Sequence, residues 1–389
     1  MTEAAGTTGR YLILLEHNAA ALGARAITNA AGLRTTSTAE LAGASTAQLL
    51  GTDGGLLFHQ LGVALVSADE DQYAALTTAA ESDGPISSVE AERTVFAIED
   101  KAAPAAEDGE LTWGLQAVNA ANSAATGAGV RVAVLDTGFD AEHPDFAGRQ
   151  VITSSFVDGE DAKDGHGHGT HCIGTSCGPR TPETKPGYGI AHQAEIYAGK
   201  VLSNEGSGSD GGILAGISWA ISNGCAVVSM SLGAPTQAGQ PYSKTFEQVA
   251  QRAMERGTLV VAAAGNESKR SEGLVAPVGH PANCPSIMAI GAIDSAGAIA
   301  DFSCGTVDDI GAVDLVGPGV DVYSSWPMPK RYNTISGTSM ATPHAAGIAA
   351  LTAQQYGSRG WELWARLTQH ARRLALAAVD SGAGLVQAP

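Results

Sequence analysis

The sequence predicts an α/β fold, in which a large domain with a mostly parallel sheet follows a small α+β domain. The runs 130–135 and 259–264 are rich in apolar residues and lie next to glycines, which is typical of strands buried in a parallel sheet. The Ala-rich run 345–353 predicts a helix packed closely on that sheet. At 389 residues, the chain is long enough for one large domain and a smaller one.

Residues 1–100 predict the smaller domain, because short apolar runs alternate there with Ala-rich stretches. The expected order is strand 11–15, helix 18–31, paired strands 56–58 and 63–66, a helix opened by the acidic residues 69–71, and strand 86–98. This βαββαβ pattern indicates a ferredoxin-like fold. The acidic, proline-bearing stretch 101–111 predicts an exposed linker, and residues 112–389 then form the larger domain.

Composition argues against some classes of partner. The formal net charge of −18 disfavours nucleic acid and anionic membranes. No charge-free apolar run reaches the ~18 residues that a membrane span needs. The apolar run 11–15 is too short for the core of a signal peptide, which leaves two expectations open: a cytoplasmic protein, or a secreted one whose leader is missing from the sequence. We expect a monomer.

The five cysteines are an odd number, which leaves at least one thiol free or intermolecular. A bond between Cys172 and Cys177 is disfavoured, because five helical positions separate Cα atoms by about 8–9 Å. Other pairings among Cys172, Cys177, Cys225, Cys284 and Cys304 stay open, with Cys284–Cys304 as one option. No compact His/Cys cluster predicts a metal site.

The segment 337–344 predicts a serine nucleophile at the start of a helix. Small residues surround Ser339, so a substrate carbonyl can reach its hydroxyl, and the helix that follows directs its positive end toward the reaction centre. A serine needs a general base, an orienting carboxylate and an oxyanion site to become an effective nucleophile. The chain offers a candidate for each.

The candidate carboxylate is Asp136, which follows the strand 130–135 and therefore lies at the carboxyl edge of the predicted sheet. The candidate base lies in the glycine-flanked segment 165–172, where His166, His168 and His171 compete for the role. Taken singly, a serine in a turn or an aspartate after a strand is usually structural. Taken together with their order and flanks, these residues favour a catalytic triad.

The order Asp136, His168, Ser339 and the motifs around these residues resemble the subtilisin family (subtilase, S8-type) of serine proteases. The resemblance covers roughly residues 112–389, and further matching blocks lie at 189–191, 200–202, 229–233 and 263–266. It implies that His168, the first His of His-Gly-Thr-His, is the base, and that His166 and His171 are structural. It also implies a subtilisin-like three-layer catalytic domain.

The resemblance assigns further roles by position. Asn266 would bind the oxyanion together with the Ser339 backbone N–H. The substrate would be added as a strand between two backbone edges, and a roomy apolar pocket would take the residue on the acyl side of the cut. The matching substrate-binding positions are Gly206, Ser207, Gly208, Ser231, Leu232, Gly233, Ala264, Gly265 and Gly279. Glu267, at the rim, would soften the hydrophobic preference toward basic residues.

The smaller domain resembles the family's propeptide, or inhibitor, domain in pattern, size and position. This implies a zymogen that is inhibited by its own N-terminal domain and cleaves itself between Ile98 and Glu107. No cofactor is required. Family members often bind structural Ca²⁺, and Asp145 matches one ligand position, but the loop 178–186 lacks the expected Asn ligands.

We therefore expect an endopeptidase that cleaves proteins with a broad hydrophobic preference. Two alternatives stay open: a processing protease dedicated to one partner protein, and a catalytically silent binding protein on the same fold. An unrelated adaptor also stays open as the role of the smaller domain.

Overall fold

The computed structural model describes residues 6–40, 50, 54–98, 101–102 and 109–389. Most of the predicted linker 101–111, and most of the interval 98–107 that holds the predicted cleavage site, lies outside the described residues. No helix among the described residues is long and apolar enough to cross a membrane.

The N-terminal domain is an antiparallel sheet covered by helices. Its elements are β1 (Thr7–Leu15), α1 (Ala20–Ala31), β2 (Thr35–Ser37), β3 (Gly55–Phe58), β4 (Val63–Ser67), α2 (Glu70–Ala80) and β5 (Ile86–Ala97). The central strands follow the order β5-β1-β4-β3, which is the ferredoxin-like arrangement that the sequence predicts. A short strand that the pattern did not predict, β2, adds to the edge by pairing in parallel with β3.

Local chemistry explains these elements. The side chain of Asp69 caps α2 by accepting a hydrogen bond from the Gln72 N–H, and the Gln72 side chain accepts one from the Asp69 N–H, which forms a capping box. Side chains from β1, α1 and α2 form a small core that includes Ile13, Ile27 and Leu76. The first part of β5 completes this sheet, and its last residues leave it to contact the larger domain.

The larger domain is built on a parallel sheet. Its strands are β7 (Arg131–Asp136), β8 (Val151–Ser155), β9 (Glu195–Lys200), β11 (Val227–Met230), β13 (Leu259–Ala263), β14 (Met288–Ile293) and β15 (Leu315–Pro318). They lie in the order β15-β14-β13-β11-β7-β9-β8. Because the chain moves to one side of β7 for β8 and β9 and then to the other side for β11, the sheet has a topological switch point at β7.

Helices pack on this sheet, and the sheet and helices together form three layers. They are α3 (Trp113–Ala117), α4 (His168–Cys177), α5 (Asp210–Ser222), α6 (Lys244–Glu255), α7 (Thr338–Tyr356), α8 (Gly360–His370) and α9 (Ala378–Ser381). α4 and α7 pack against each other, and α7 also contacts β11, β13, β14 and β15. α5 contacts β7 and β9, and α6 contacts β13.

Short strands and turns of 3₁₀ helix complete the described structure. The strands are β6 (Lys101–Ala102), β10 (Ser207–Ser209), β12 (Leu232–Gly233), β16 (Val322–Ser325) and β17 (Tyr332–Ser336). The 3₁₀ turns are Thr38–Glu40, Ala120–Asn122, Pro144–Phe146 and Arg270–Glu272.

One part of the linker differs from the sequence prediction. Residues 101–102 form a strand, β6, that pairs antiparallel with Ser336 and Ile335 of β17. The reason is local: β17 leads directly to the segment of Ser339, and its backbone edge offers hydrogen-bonding groups that the linker satisfies.

All five cysteines are buried free thiols, so the structure does not realise the Cys284–Cys304 disulfide. Burial raises the pKa of each thiol, which favours the neutral form.

Candidate active site

Three strand ends bring the predicted catalytic segments together. Asp136 is the last residue of β7, Ser231 follows β11, and Asn266 lies just beyond β13. These strands are parallel neighbours in the sheet, so their carboxyl ends meet at one edge. The site therefore lies at the switch point where open α/β sheets place their ligands.

Asp136 and His168 form a buried pair. The His168 Nδ1 and the Asp136 Oδ1 are 2.7 Å apart, and each side chain is only 1% exposed. Asp136 Oδ1 also accepts a hydrogen bond from the Thr137 N–H. With Nδ1–H donating to the carboxylate, the imidazole has its Nε2 as the basic atom, which is the tautomer that a general base needs.

Asp164 holds the segment before His168, and sequence reasoning missed it. Its carboxylate accepts hydrogen bonds from the Gly167 N–H, the Thr170 N–H and hydroxyl, and the Thr137 hydroxyl, at 2.7–2.9 Å. Burial alone would raise the pKa of Asp164, but these hydrogen bonds together lower it. An acidic residue just ahead of a helix start was the available signal, because such residues satisfy the open N–H groups of the first turn.

The start of α4 approaches the Asp136 turn more closely than a side chain would permit. A Cβ on Gly169 would lie 2.3 Å from the Gly138 carbonyl oxygen. Gly167, with φ of 112°, packs against Trp326 in the same way. The glycines flanking His168 in the sequence therefore allow the close contact that brings His168 to Asp136.

Ser339 lies in the first turn of α7 and is fully buried. Its Oγ donates a hydrogen bond to the Ser231 carbonyl oxygen at 3.3 Å. Cys172, on α4, contacts both His168 and Ser339: its Sγ is 3.9 Å from the His168 Nδ1 and 3.6 Å from the Ser339 carbonyl oxygen. The packing of α4 on α7 thus brings the His168 and Ser339 segments together.

Asn266 is fixed against the residue before the nucleophile. Its Oδ1 accepts hydrogen bonds from the Thr338 N–H and the Thr338 hydroxyl, both at 2.9 Å. The Thr338 hydroxyl also accepts from the Gly265 N–H at 3.2 Å. Because the oxygen is held, the plane of the carboxamide and the direction of its Nδ2 are held with it.

The two predicted substrate edges are both occupied by a strand of the N-terminal domain. β5 pairs antiparallel with β10 through Phe96 opposite Ser207 and Val95 opposite Gly208. On its other side it pairs with β12, with Ala97 opposite Leu232 and Phe96 opposite Gly233. The Ala97 N–H donates to the Gly206 carbonyl at 2.8 Å.

Neighbouring side chains of this inserted strand differ in burial. Val95 is fully buried, whereas Phe96 is 45% exposed. Ile98, the next buried residue, is 8% exposed, and its Cδ1 lies 4.0 Å from where a Cβ on Gly233 would stand. The inserted segment is therefore held by its backbone hydrogen bonds and by the buried side chains of Val95 and Ile98.

The structure places His166 at the cleft, although the sequence suggested a structural role. The centroids of the His166 and His168 rings are 6.3 Å apart. The His166 Nε2 lies 3.1 Å from the position that a Cβ on Gly206 would occupy. Burial and the neighbouring His168 lower the pKa of His166. His171, by contrast, is buried, and its Nε2 lies 3.1–3.2 Å from the carbonyls of Val322 and Asn333, which fits the structural role.

The predicted specificity pocket is lined by small, buried residues. The Gly279 N–H donates to the Ala264 carbonyl, and a Cβ on Gly279 would lie 3.0 Å from the Ala234 carbonyl oxygen. Glu267 turns inward, since its Oε2 accepts a hydrogen bond from the Cys304 thiol at 3.1 Å. Burial, followed by the charge of Glu267, raises the pKa of that thiol well above its usual value.

Among the described residues, Asp136, His168 and Cys172 offer ligand atoms within 4.8 Å of one another. His168 Nδ1 and Asp136 Oδ1 are instead bonded to each other at 2.7 Å, and burial raises the pKa of the Cys172 thiol to about 12, which favours its neutral form.

At the calcium position, Asp145 already accepts hydrogen bonds from the hydroxyls of Tyr188, at 2.6 Å, and Tyr332, at 3.1 and 3.2 Å. Arg180, in the neighbouring loop, instead donates to backbone carbonyls. Ca²⁺ requires six to eight oxygen ligands, so this set of donors does not suit it.

Comparison with known proteins agrees with this geometry. Residues 127–385 match the family described as the subtilase family. The M-protease of Shouchella clausii (strain KSM-K16) is 42% identical over 275 residues, which cover 69% of this chain and 67% of that protein. Subtilisin Savinase of Lederbergia lenta is 44% identical over 250 residues, 63% of this chain and 85% of its own length.

A relative from another organism gives a similar match. A cuticle-degrading protease of Metarhizium anisopliae is 37% identical over 293 residues, 71% of this chain and 69% of its own. The family match alone covers well over half of the chain. This chain therefore belongs to the subtilase family of serine endopeptidases.

Proposed function

We propose that the chain hydrolyses peptide bonds of proteins through Asp136, His168 and Ser339. Ser339 Oγ attacks the substrate carbonyl while its proton passes to His168 Nε2. The imidazolium gives that proton to the leaving amine, and an acyl-enzyme remains, which water then hydrolyses with His168 again as base. Asp136 keeps the tautomer and stabilises the imidazolium, a role that the 2.7 Å contact supports.

The tetrahedral oxyanion would be bound by the Ser339 N–H and by Asn266 Nδ2. The hydrogen bonds that fix Asn266 Oδ1 on Thr338 support this assignment, because a preorganised donor costs no reorganisation when charge develops.

The observation that carries the proposal is β5 bound between β10 and β12. An extended segment of this same chain already makes the backbone pairing that a peptide substrate would make at these edges. In this proposal β5 takes the place of the acyl side of a substrate, and the N-terminal domain acts as an intramolecular inhibitor.

Further contacts support the inhibitory role. Glu90 of β5 accepts a hydrogen bond from the Lys244 N–H at the start of α6, at 2.8 Å, and Glu92 accepts one from the Gly211 N–H at the start of α5, at 2.9 Å. These carboxylates satisfy open N–H groups at positive helix ends. In return, Arg252 of α6 donates to the Leu15 carbonyl, at 2.8 Å, and the Leu61 carbonyl of the N-terminal domain.

The register limits where self-cleavage would occur. β5 pairs with the substrate edges as far as Ala97, and β6 pairs with β17, immediately before the Ser339 segment, from Lys101 onward. Leu232, opposite Ala97, follows Ser231, which contacts Ser339, and Ser336, opposite Lys101, lies three residues before Ser339, so we propose that the cut falls between Ile98 and Lys101. Ile98 is our first choice for the acyl side, because it is the apolar residue of this stretch.

We propose a preference for medium or large hydrophobic residues on the acyl side of the cut. The small residues Ala264, Gly265 and Gly279 support an open apolar pocket. Glu267 turns inward toward Cys304 instead of lying at the rim of the pocket. Its carboxylate would therefore favour basic substrate residues less than a carboxylate at the rim would.

Intact mass followed over time, for wild type and Ser339→Ala, tests both parts of the proposal. We expect wild type to split between Ile98 and Lys101 and the variant to stay whole. A Ser339→Ala protein that splits alone would contradict self-processing. If neither protein splits, labelling of Ser339 by a fluorophosphonate separates a restrained enzyme from a silent scaffold. Turnover of casein by the processed enzyme distinguishes a broad protease from one dedicated to a single partner.

A further inference from the structure

The carbonyl of Ser339 lacks its usual helical hydrogen bond. In an α-helix the carbonyl of residue i accepts from the N–H of residue i+4, and the residue four positions after Ser339 is Pro343. Proline has no N–H, and its ring crowds the carbonyl of the preceding turn. The helix that carries Ser339 therefore cannot supply the i+4 N–H donor to the Ser339 carbonyl.

Two side chains from outside the helix supply donors instead. The Ser231 Oγ donates to the Ser339 carbonyl oxygen at 2.8 Å, and the Cys172 Sγ makes a weaker contact at 3.6 Å. All three residues are fully buried. A buried carbonyl without a donor is costly, so the Ser231 hydroxyl satisfies a group that water cannot reach.

Ser231 holds Ser339 twice. Its hydroxyl binds the Ser339 carbonyl, and its own carbonyl accepts the hydrogen bond from the Ser339 Oγ. Ser231 lies between β11 and β12, so it is continuous with the edge on which β5 is bound. The same residue thus connects the backbone of the nucleophile to the strand that positions the substrate.

We propose that the Ser231 hydroxyl is a positioning group for the nucleophile and that it replaces the donor which Pro343 removes from the helix. This rests on the proposed role of Ser339. Pro343 leaves the carbonyl open to the substrate edge, so the register between Ser339 and a bound peptide is set by Ser231 rather than by the helix alone. Cys172 assists from the side of α4.

The test compares Ser231→Ala with Ser229→Ala in the full-length chain after self-processing. Ser229 is a matched control, because it is equally buried on the preceding strand and its Oγ has no hydrogen-bond partner among the described residues. Rates on a short peptide substrate are divided by the active fraction, which is titrated with a fluorophosphonate. This correction removes differences in folding yield and maturation.

We expect Ser231→Ala to lower kcat about 10-fold with KM changed less than about two-fold, since misplacement of the nucleophile affects the transition state more than binding. Ser229→Ala should leave both constants within about two-fold. A merely structural role would lower the melting temperature and the active fraction, without this separation of kcat from KM.

The Pro343→Ala background tests whether a restored helical N–H compensates for the loss of the Ser231 hydroxyl. Alanine restores the N–H that can donate to the Ser339 carbonyl, so in this background Ser231→Ala should lower kcat less than about three-fold. The proposal is overturned if Ser231→Ala matches Ser229→Ala, if its effect appears in KM, or if its loss of kcat is the same in the Pro343→Ala background.

Failure of the proposed function gives a different result. In that case the wild-type protein is not labelled by the fluorophosphonate at Ser339, and no variant has a measurable kcat. An active, labelled wild type with no effect of Ser231→Ala would contradict only the positioning role.

Discussion

Two buried aspartate–histidine pairs in the described residues have the same chemistry and different surroundings. His168 Nδ1 lies 2.7 Å from Asp136 Oδ1, and His280 Nε2 lies 2.9 Å from Asp210 Oδ1. The first pair lies at the carboxyl edge of the sheet beside Ser339. The second lies beneath β5, where the Arg93 Nη1 of the N-terminal domain is 3.3 Å from His280 Nδ1.

The second pair is distinguished by the partner of His280 Nδ1, the ring nitrogen that does not contact Asp210. An arginine can only donate, so His280 Nδ1 accepts from Arg93 while Nε2–H donates to Asp210. Asp210 also accepts from the Arg93 N–H at 3.0 Å. The second pair therefore contributes to binding of β5, whereas the proposed role of the first is to activate Ser339. The surroundings of the pair, rather than the pair itself, decide its role.

We expect the largest effect from a substitution that breaks the first pair. Asp136→Asn should lower kcat about 10⁴-fold, because the amide no longer selects the tautomer that makes His168 a base. The precursor should then stay intact in a mass time course that converts wild type. Rapid splitting of Asp136→Asn would contradict the role of Asp136.

The matched change in the second pair is Asp210→Asn. We expect kcat of the processed enzyme within about two-fold of wild type and release of the cleaved N-terminal domain about 10-fold faster, because a charge-assisted set of hydrogen bonds to β5 is weakened. The delay between cleavage, followed by mass, and the appearance of peptidase activity measures this release. A lower kcat with an unchanged delay would assign Asp210 to chemistry instead.

His171 and His344, which are buried without a carboxylate partner among the described residues, extend the comparison. Burial lowers the pKa of His171 to about 3, with a further contribution from His168, and that of His344 to about 4. Because these folded pKa values lie below the unfolded value near 6.5, the stability is fully present above pH 6.5 and is lost as pH falls toward 4.

We expect each of these two histidines to reduce the free energy of unfolding by roughly 3 kcal/mol between pH 7 and pH 4. Urea unfolding of the inactive Ser339→Ala protein measures this loss. In that background His344→Gln should flatten the pH dependence, whereas replacing the exposed His17 by Gln should not. Equal slopes for the two variants would contradict the assignment.

The smallest expected effect concerns a carboxylate that accepts hydrogen bonds from two tyrosine hydroxyls. Asp145 is held by the Tyr188 and Tyr332 hydroxyls, so we expect EDTA to leave the melting temperature unchanged. Tyr188→Phe, in contrast, should cost about 1–3 kcal/mol because it removes a donor to that carboxylate. A large fall in melting temperature with EDTA, reversed by Ca²⁺, would show that the tyrosines do not replace the ion.

Much of the site was accessible from the sequence, because its chemistry lies in short segments. A strand end at Asp136, a glycine-flanked histidine at 168 and a helix start at Ser339 each have a local pattern, and their order identifies the family. The βαββαβ order of the N-terminal domain was accessible for the same reason. Strand β2 was not, because three residues carry too little periodicity to indicate a strand.

Contacts between segments that are distant in the chain could not be predicted from the sequence. The pairing of Lys101–Ala102 with β17, the position of His166 beside Gly206 and the hydrogen bond from Ser231 to Ser339 each join residues that no local pattern connects. Their partners depend on which strand ends meet at the sheet edge.

The sequence alone determined the family, much of the order of the elements and the candidate residue for each proposed step, because apolar periodicity and side-chain identity are local properties. Only the tertiary structure decided which aspartate–histidine pair lies beside Ser339, which strand pairs with β10 and β12, and which hydroxyl donates to the Ser339 carbonyl. The physical reason is that hydrogen bonds and burial act over a few ångströms, and folding alone sets those distances between remote residues.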